Sequence, residues 1–399
     1  MMSGTESKLG LGKPSRRLEA MPPYMFAELE RKVEEKRKAG IDIISLGIGD
    51  PDLPTFPGTV EAMQAAVADP KNQKYPSNRG REEFRNAVAA FYADSFEVDL
   101  DPETQIIPAL GSKECLYNLC FAFLDPGDVA LASDPGYPVY TGGPVLAGAE
   151  PVLVSLDPAR EFAPDFDAIP EEALKAARLL FLNYPNNPTG AVVPDGVFAR
   201  AIELAREYDF LVVHDNAYSE IVFDDYAAPS FLSTPGAFEV GVEVYSLSKG
   251  HNMTGWRCGA IVGNTEAIET YWRLKTNVDS GMFEAIQMAG AEAMTASQEP
   301  VREMCEVYQR RRDLVVEALQ EIGIEAQAPK ATIYVWAPVP DGFTSTSFAE
   351  YALEEAAVIV SPGSLYGPTG EGFFRISLTT PDDQITEAVQ RIRDNLSAR

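Results

Sequence analysis

Histidine occurs twice in this chain and cysteine four times, and neither is placed as a metal ligand or a disulfide framework would need it. His214 and His251 stand apart, and Cys115, Cys120, Cys258 and Cys305 show no zinc spacing. Buried free thiols in a reducing cytoplasm are the expected state of the four cysteines. Basic residues are also scarce. Thirty-three Lys and Arg face 60 Asp and Glu, and the formal net charge of −27 argues against partners held by positive charge, such as nucleic acid or an anionic membrane. No apolar run approaches the length of a membrane-spanning helix, and the polar first twenty residues hold no secretory h-region. A cytoplasmic protein acting on small molecules is expected.

What is present is a 399-residue chain, 45% hydrophobic and 23% charged, long enough for two domains. From about residue 105, apolar runs at 105–109, 129–133, 151–155, 178–183, 209–214, 242–247 and 258–262 alternate with helical patterns such as 112–124 and 195–207. That alternation predicts an α/β fold: a large domain with a mostly parallel seven-stranded sheet, covered by helices on both faces. A helix near 24–39, a long helix at 298–321, strands 332–337 and 373–378 and helices 346–357 and 381–396 predict a smaller α/β domain built from both termini. The expected division is an arm over 1–17, the N-terminal part of the small domain over 18–49, the large domain over 50–295 and the rest of the small domain over 296–399.

Polar clusters follow the predicted strands, where open α/β sheets bind their ligands. The richest is the stretch from Ser246 through Lys249 to Arg257 and Gly259. A lysine leaving a strand end can be held dry, so that its amine loses charge and becomes a nucleophile. An arginine eight positions on can fold back and clamp a phosphate with parallel hydrogen bonds. Amine and phosphate clamp together are what pyridoxal 5'-phosphate requires. The rival reading is an ordinary surface loop.

The other clusters fit the same ligand. Gly111-Ser112-Lys113 opens a helix, whose first turn is an anion site or merely a capped end. Tyr137, on a Pro-Gly turn, can stack on a flat ring or pack in the core. Asn187 lies in a loop with two prolines that fix its course. Asp215 at a strand end can pair with a protonated pyridine nitrogen or cap a helix, and Tyr218 follows within the next turn. Arg375, inside an apolar strand, needs an anion, either a substrate carboxylate or a structural partner. Gly49, in Gly47-Ile48-Gly49-Asp50, lets backbone approach a ligand.

Taken together, Tyr75, Ser112-Lys113, Tyr137, Asn187, Asp215-x-x-Tyr218, Ser246-x-x-Lys249, Arg257 and Arg375 make the chain resemble the fold-type-I pyridoxal-phosphate aminotransferases of the aspartate aminotransferase superfamily. Several strings, among them Leu46 to Pro54, Val213 to Glu220 and Lys275 to Gly281, resemble LL-diaminopimelate aminotransferase within it.

The resemblance implies Lys249 as the Schiff-base and proton-transfer lysine, Asp215 at the pyridine nitrogen, and Asn187 and Tyr218 at the ring oxygen. Tyr137 would lie on the ring face, and Ser112, Lys113, Ser246 and Arg257 at the phosphate. Tyr75 would reach in from a second subunit of a homodimer, and Arg375, Asn187 and the Gly49 amide would take the substrate carboxylate. Tyr24 and Asn78 are expected among the substrate contacts. The implied reaction carries an amino group between an amino acid and a 2-keto acid, for the closer resemblance in lysine biosynthesis. An alanine- or aspartate-type transaminase or a carbon–sulfur β-lyase is the alternative. The loop Asn277 to Glu284 carries Asp279 and Glu284 and no arginine, which suits a distal ammonium on the substrate unless these acids only cap or solvate the next helix.

Overall fold

The computed structural model describes residues 12–21, 27–38 and 40–396. Its centre is an eight-stranded sheet whose strands are β2 (Ile106–Ala109), β3 (Val129–Asp134), β4 (Glu150–Asp157), β5 (Ala163–Pro164), β6 (Ala177–Leu182), β7 (Leu211–Asn216), β8 (Gly241–Ser246) and β9 (Gly259–Gly263). They lie in the order β2-β9-β8-β7-β6-β3-β4-β5. Strands β3, β4, β6, β7 and β8 pair parallel, while β9 runs antiparallel to both β8 and β2.

All seven expected strands are present. The eighth, β5, is a two-residue strand pairing antiparallel at the edge through Leu156–Pro164 and Asp157–Ala163. A run so short carries no alternation for a sequence reading to detect.

Apart from β4 and β5 at one edge, the strands are buried on both faces, and period two sorts their side chains. Leu179 and Phe181 of β6 join one core, with Val213, Val242, Val244 and Ile261, under the helices Ser112–Phe123, Val139–Ala147 and Thr265–Val278. Leu180 and Leu182 join the other, with Val212, Tyr245 and Val262, under Glu82–Phe96 and Val197–Tyr208. In Glu82–Phe96 the residues Phe84, Val88 and Phe91 form the inward stripe, each fully or nearly buried. Burial of each such side chain contributes roughly 1.5–3 kcal/mol.

A separate core gathers Ile44 and Leu46 with Met304, Tyr308, Val315 and Leu319 of the helix Glu299–Glu321, and with Ile385 and Val389 of Asp382–Asn395. Its sheet is antiparallel, β10 (Tyr334–Pro338), β13 (Phe373–Ser377) and β12 (Ser361–Pro362), with β13 in the middle. A parallel pair, β1 (Ile44–Ser45) with β11 (Val358–Ile359), joins the early chain to the late chain. The helix Ala27–Lys38 sets Val33 against Leu353 and Ile359. Of the expected arm, residues 1–11 lie outside the described residues, and a four-residue helical turn, Arg16–Glu19, begins within 12–17.

Candidate active site

Strands β2, β3, β6, β7 and β8 run in one direction, so the chain leaving each arrives at the same edge of the sheet. There it lines a cavity of about 900 Å³. The second core closes the cavity with Gly47, Gly49, Tyr334, Ser361, Tyr366 and Arg375.

At the end of β8 the Ser246 hydroxyl accepts a hydrogen bond from the Ser248 amide (3.2 Å), turning the chain into the single helical turn Leu247–Gly250. The Leu247 amide donates to the Cys258 carbonyl (3.2 Å), fixing that turn to the chain entering β9. Lys249 is thereby held over the sheet edge, and its Nζ donates to the Gly49 carbonyl (2.6 Å). Burial pushes its pKa below the usual lysine value, since desolvation disfavours the ammonium.

Arg257 follows in the left-handed region (φ 55°), with a guanidinium nitrogen donating to the Thr254 carbonyl (2.8 Å). Gly111 meets it from the far side. With φ at 80° and a Cβ that would collide with the guanidinium, the position admits only glycine. The twelve-residue helix Ser112–Phe123 starts there, so first-turn amides, the hydroxyls of Ser112, Ser246 and Ser248, and Lys113 and Arg257 all line one corner of the cavity. Such a set of donors could hold a phosphate.

Asp215 lies inside β7, not beyond its end as the sequence suggested, because the strand runs to Asn216. No helix follows, so Asp215 caps nothing, and Tyr218 lies in irregular backbone instead of a helical turn. The carboxylate is 4% exposed. Its Oδ2 accepts from the Tyr140 hydroxyl (2.8 Å), and its Oδ1 is buried without a partner. Burial pushes its pKa up to about 6 against the opposing hydrogen bond from Tyr140.

Asn183, the first residue after β6, donates to the Asp215 carbonyl (2.7 Å) and accepts from the Asn187 amide (2.7 Å), which sets the Asn187 loop against β7. The Tyr218 hydroxyl meets that of Tyr334 at 3.2 Å, and Tyr137 also lines the cavity.

Arg375 of β13 is 6% exposed. Its nitrogens donate to Asn187 Oδ1 and the Gly47 carbonyl, both at 2.8 Å, while its Nε is buried without a partner. The guanidinium lies over the Tyr334 and Tyr366 rings, at 4.0 and 4.8 Å from their centroids. Among the described residues no carboxylate pairs with it. The site thus offers a fixed cation for a small carboxylate.

Ser112, Lys113, Tyr137, Asn187, Asp215, Tyr218, Ser246, Lys249, Arg257, Gly49 and Arg375 therefore line one cavity. Tyr75 does not line it and is 88% exposed. Asn78 is half-buried outside it, with its Oδ1 buried and unpartnered. Tyr24 lies outside the described residues. Tyr140, Asn183, Tyr334 and Tyr366 are the members that the sequence reading missed.

The acids of the 277–284 loop are spent within the chain. Asp279 accepts from Lys275 (2.6 Å) and from the Gly281 amide (2.6 Å), and Glu284 pairs with Arg81 (2.7 Å). The expectation that they suit a substrate ammonium gives way to their structural role. No metal-holding cluster of His, Cys, Asp or Glu occurs among the described residues.

The open Oδ1 of Asp215, the bare corner at Gly111 beside Arg257, and the partly buried amine of Lys249 fit the ring nitrogen, phosphate and aldehyde of one small molecule. Fold and site define a pyridoxal-phosphate-dependent enzyme on an α/β scaffold. Comparison with known proteins narrows the class. The chain belongs to the aminotransferase class I and II family, whose sequence profile matches residues 41–392. It is 50% identical over 379 residues (95% of this chain, 97% of the relative) to an LL-diaminopimelate aminotransferase of Desulforudis audaxviator. It has the same identity and coverage with that of Moorella thermoacetica. Among solved structures, substrate-bound BacF from Bacillus subtilis superposes with a TM-score of 0.92 at 37% identity, covering 96% of this chain and 98% of its own. A mutant of Thermus thermophilus aspartate aminotransferase gives 0.89 at 31%, covering 97% and 100%. The chain is thus an aminotransferase, and its fold is that of these neighbours.

Proposed function

We propose that this enzyme transfers an amino group reversibly between LL-diaminopimelate and 2-oxoglutarate, within lysine biosynthesis. The observation that carries the reading is the likeness to LL-diaminopimelate aminotransferases, at 46–50% identity over 95% of the chain. The cavity supports it with two further carboxylates, Asp50 and Glu34, in its lining. LL-diaminopimelate carries an ammonium beside its distal carboxylate, and these acids can meet that ammonium, whereas the distal end of aspartate or glutamate has a carboxylate alone.

When bound, the cofactor supplies an aldehyde to capture the amine and a cationic ring to accept electrons. The chain's residues do the rest. Arg375, with Asn187 and the Gly49 backbone, holds the α-carboxylate by a charge-assisted pair. Lys249, kept dry enough to lose its proton, moves a proton at the substrate Cα. Asp215 would face the ring nitrogen through Oδ1, Tyr218 and Asn187 would face the ring oxygen, and Tyr137 would cover the ring. Ser112, Lys113, Ser246 and Arg257 would hold the phosphate.

A cytoplasmic homodimer belongs to the same proposal. Four buried free cysteines suit a reducing compartment. Tyr75, Val278 and Met288 are exposed large side chains that a partner could cover. Tyr75 would then complete the partner's phosphate site, and Tyr24 and Asn78 would be substrate contacts. The same proposal divides the chain into an arm (1–17), a large domain (50–295) and a small domain from 18–49 and 296–399, and the two separate cores support the distinction between the large and small domains.

The test is kcat/KM for LL-diaminopimelate against alanine and aspartate, each with 2-oxoglutarate. A preference for LL-diaminopimelate is expected. A tenfold preference for alanine or aspartate, about 1.4 kcal/mol of transition-state discrimination, overturns the substrate reading and leaves the alanine- or aspartate-type alternative. Release of a thiol from cystathionine-like substrates would point to the β-lyase instead.

A further inference from the structure

Asp215 has two carboxylate oxygens, and only one has a partner. Oδ2 takes the Tyr140 hydroxyl at 2.8 Å, while Oδ1 is buried and open. Tyr140 stands in the first turn of Val139–Ala147, three residues after Tyr137, and is 1% exposed. Its ring is stacked on Phe181 of β6 (centroids 5.3 Å apart, planes 14° apart) and meets the edge of Tyr137 at 6.0 Å. A ring gripped on two sides cannot swing, so the hydroxyl has one direction to point, and that direction holds the carboxylate. Buried tyrosine hydroxyls elsewhere differ: that of Tyr184 bonds the Phe162 carbonyl (2.7 Å), while those of Tyr271 and Tyr308 have no partner.

We infer that Tyr140 is the positioning residue for Asp215. Its hydroxyl fixes the rotation of the carboxylate and stabilises it as an anion, so that Oδ1 alone is presented to the cofactor's ring nitrogen. The inference rests on the proposed pairing of Asp215 with that nitrogen. The electrostatics agree in sign, since the hydrogen bond from Tyr140 opposes the burial that otherwise favours the protonated carboxyl. A protonated Asp215 would present a donor to a nitrogen that must keep its own proton, and a rotated one would withdraw the acceptor altogether.

The test uses cofactor-free enzyme and two ligands: pyridoxal 5'-phosphate, and its 1-deaza analogue, which keeps the aldehyde, ring hydroxyl and phosphate but has carbon in place of the ring nitrogen. Affinities are read by equilibrium fluorescence titration for wild type, Tyr140→Phe, Asp215→Asn and the double variant. Tyr140→Phe should weaken pyridoxal phosphate about tenfold or more, the effect of losing a hydrogen bond to a buried charge, and leave the analogue within about twofold. On the Asp215→Asn background the same change should have no further effect.

Equal losses for both ligands, or no loss for either, overturn the role of Tyr140 while Asp215→Asn still discriminates between them. If Asp215→Asn itself fails to discriminate, the pairing of Asp215 is wrong and the inference falls with it. Should Tyr140→Phe not fold, Phe181→Leu keeps the hydroxyl but loosens its ring. It must then weaken pyridoxal phosphate more than the analogue, and equal weakening overturns the inference.

Discussion

Asp215 and Glu243 lie on neighbouring strands, β7 and β8, equally shut away from solvent, yet their surroundings differ in kind. Glu243 is saturated. It accepts from Tyr92 (2.7 Å), Asn216 and His214 (2.8 Å each), and Ser230 and the Phe231 amide (2.9 Å each), and its pKa is drawn below the usual value despite burial. Asp215 has one donor and an open oxygen, and its pKa rises.

The cations repeat the contrast. Arg311, 4% exposed, is bound by both oxygens of Asp52 (2.7 and 3.0 Å), by Asp382 and by the Leu378 carbonyl. Arg375, equally buried, has no carboxylate and a bare Nε. Lys275, fully buried, is closed by Asp279, while Lys249 reaches only a carbonyl. A buried charge with its partners in place builds structure, and one left short of partners awaits a ligand.

The largest effect that would break this contrast is at the lysines. Lys249→Ala should reduce turnover by about 10⁴-fold or more with thermal stability preserved. Lys275→Met should lower the melting temperature and leave kcat nearly unchanged in the protein that folds. Interchanged outcomes in activity and melting assays would sink the distinction.

The arginines come next. Arg375→Lys should cut kcat/KM roughly 10²–10³-fold, since the fork that grips a carboxylate is lost, and leave unfolding by urea little changed. Arg311→Lys should shift the urea midpoint and spare kcat/KM.

The carboxylates sharpen the comparison through pH. In cofactor-free protein, the unfolded Asp215 gives up its proton near 3.8 and the folded one near 6. Below 3.8 neither form loses stability on this account. Between those values stability falls as pH rises, and above about 6 the full penalty stands, on the order of 3 kcal/mol. Cofactor-free Asp215→Asn should therefore be more stable than wild type at pH 8 and equal to it near pH 3.5, while failing as a catalyst. Glu243 has the opposite sign, because its stabilisation is present above the usual carboxylate range and lost as pH falls. Glu243→Gln should destabilise at pH 8 by about 2–4 kcal/mol. Denaturant melts at the two pH values decide both.

The smallest expected effect is at the surface, where a net charge of −27 repels itself. Raising salt from a low level should raise the melting temperature by a few degrees, worth about 1 kcal/mol. A flat or falling curve removes surface repulsion from consideration.

Much of the site was legible because the ligand-bearing loops follow apolar strands whose runs are unmistakable, so Lys249, Asp215, Asn187 and Ser112 could be placed at one sheet edge. Tyr140 was hidden because an aromatic three residues past Tyr137 reads as core, and its helix contains Gly142, Gly143 and Pro144, residues that signal turns. Asn183 was passed over as the tail of a strand, and Tyr334 belongs to a sheet whose approach to the cavity no local pattern discloses. The acids at Asp279 and Glu284 misled for the opposite reason. Their partners, Lys275 and Arg81, lie on one helix turn and on a distant loop, and sequence shows a charge without showing what neutralises it.

The bond from Lys249 to the Gly49 carbonyl joins residues 200 positions apart, and that from Arg375 to the Gly47 carbonyl spans 328. Neither half of the chain holds a working centre, so a nascent or truncated chain has no place to marshal the cofactor's aldehyde. Reactivity is in this way deferred to the end of folding. A protein whose cofactor would bring an aldehyde open to attack by any amine gains by that delay: the chemistry is armed only when the whole polypeptide is present to direct it.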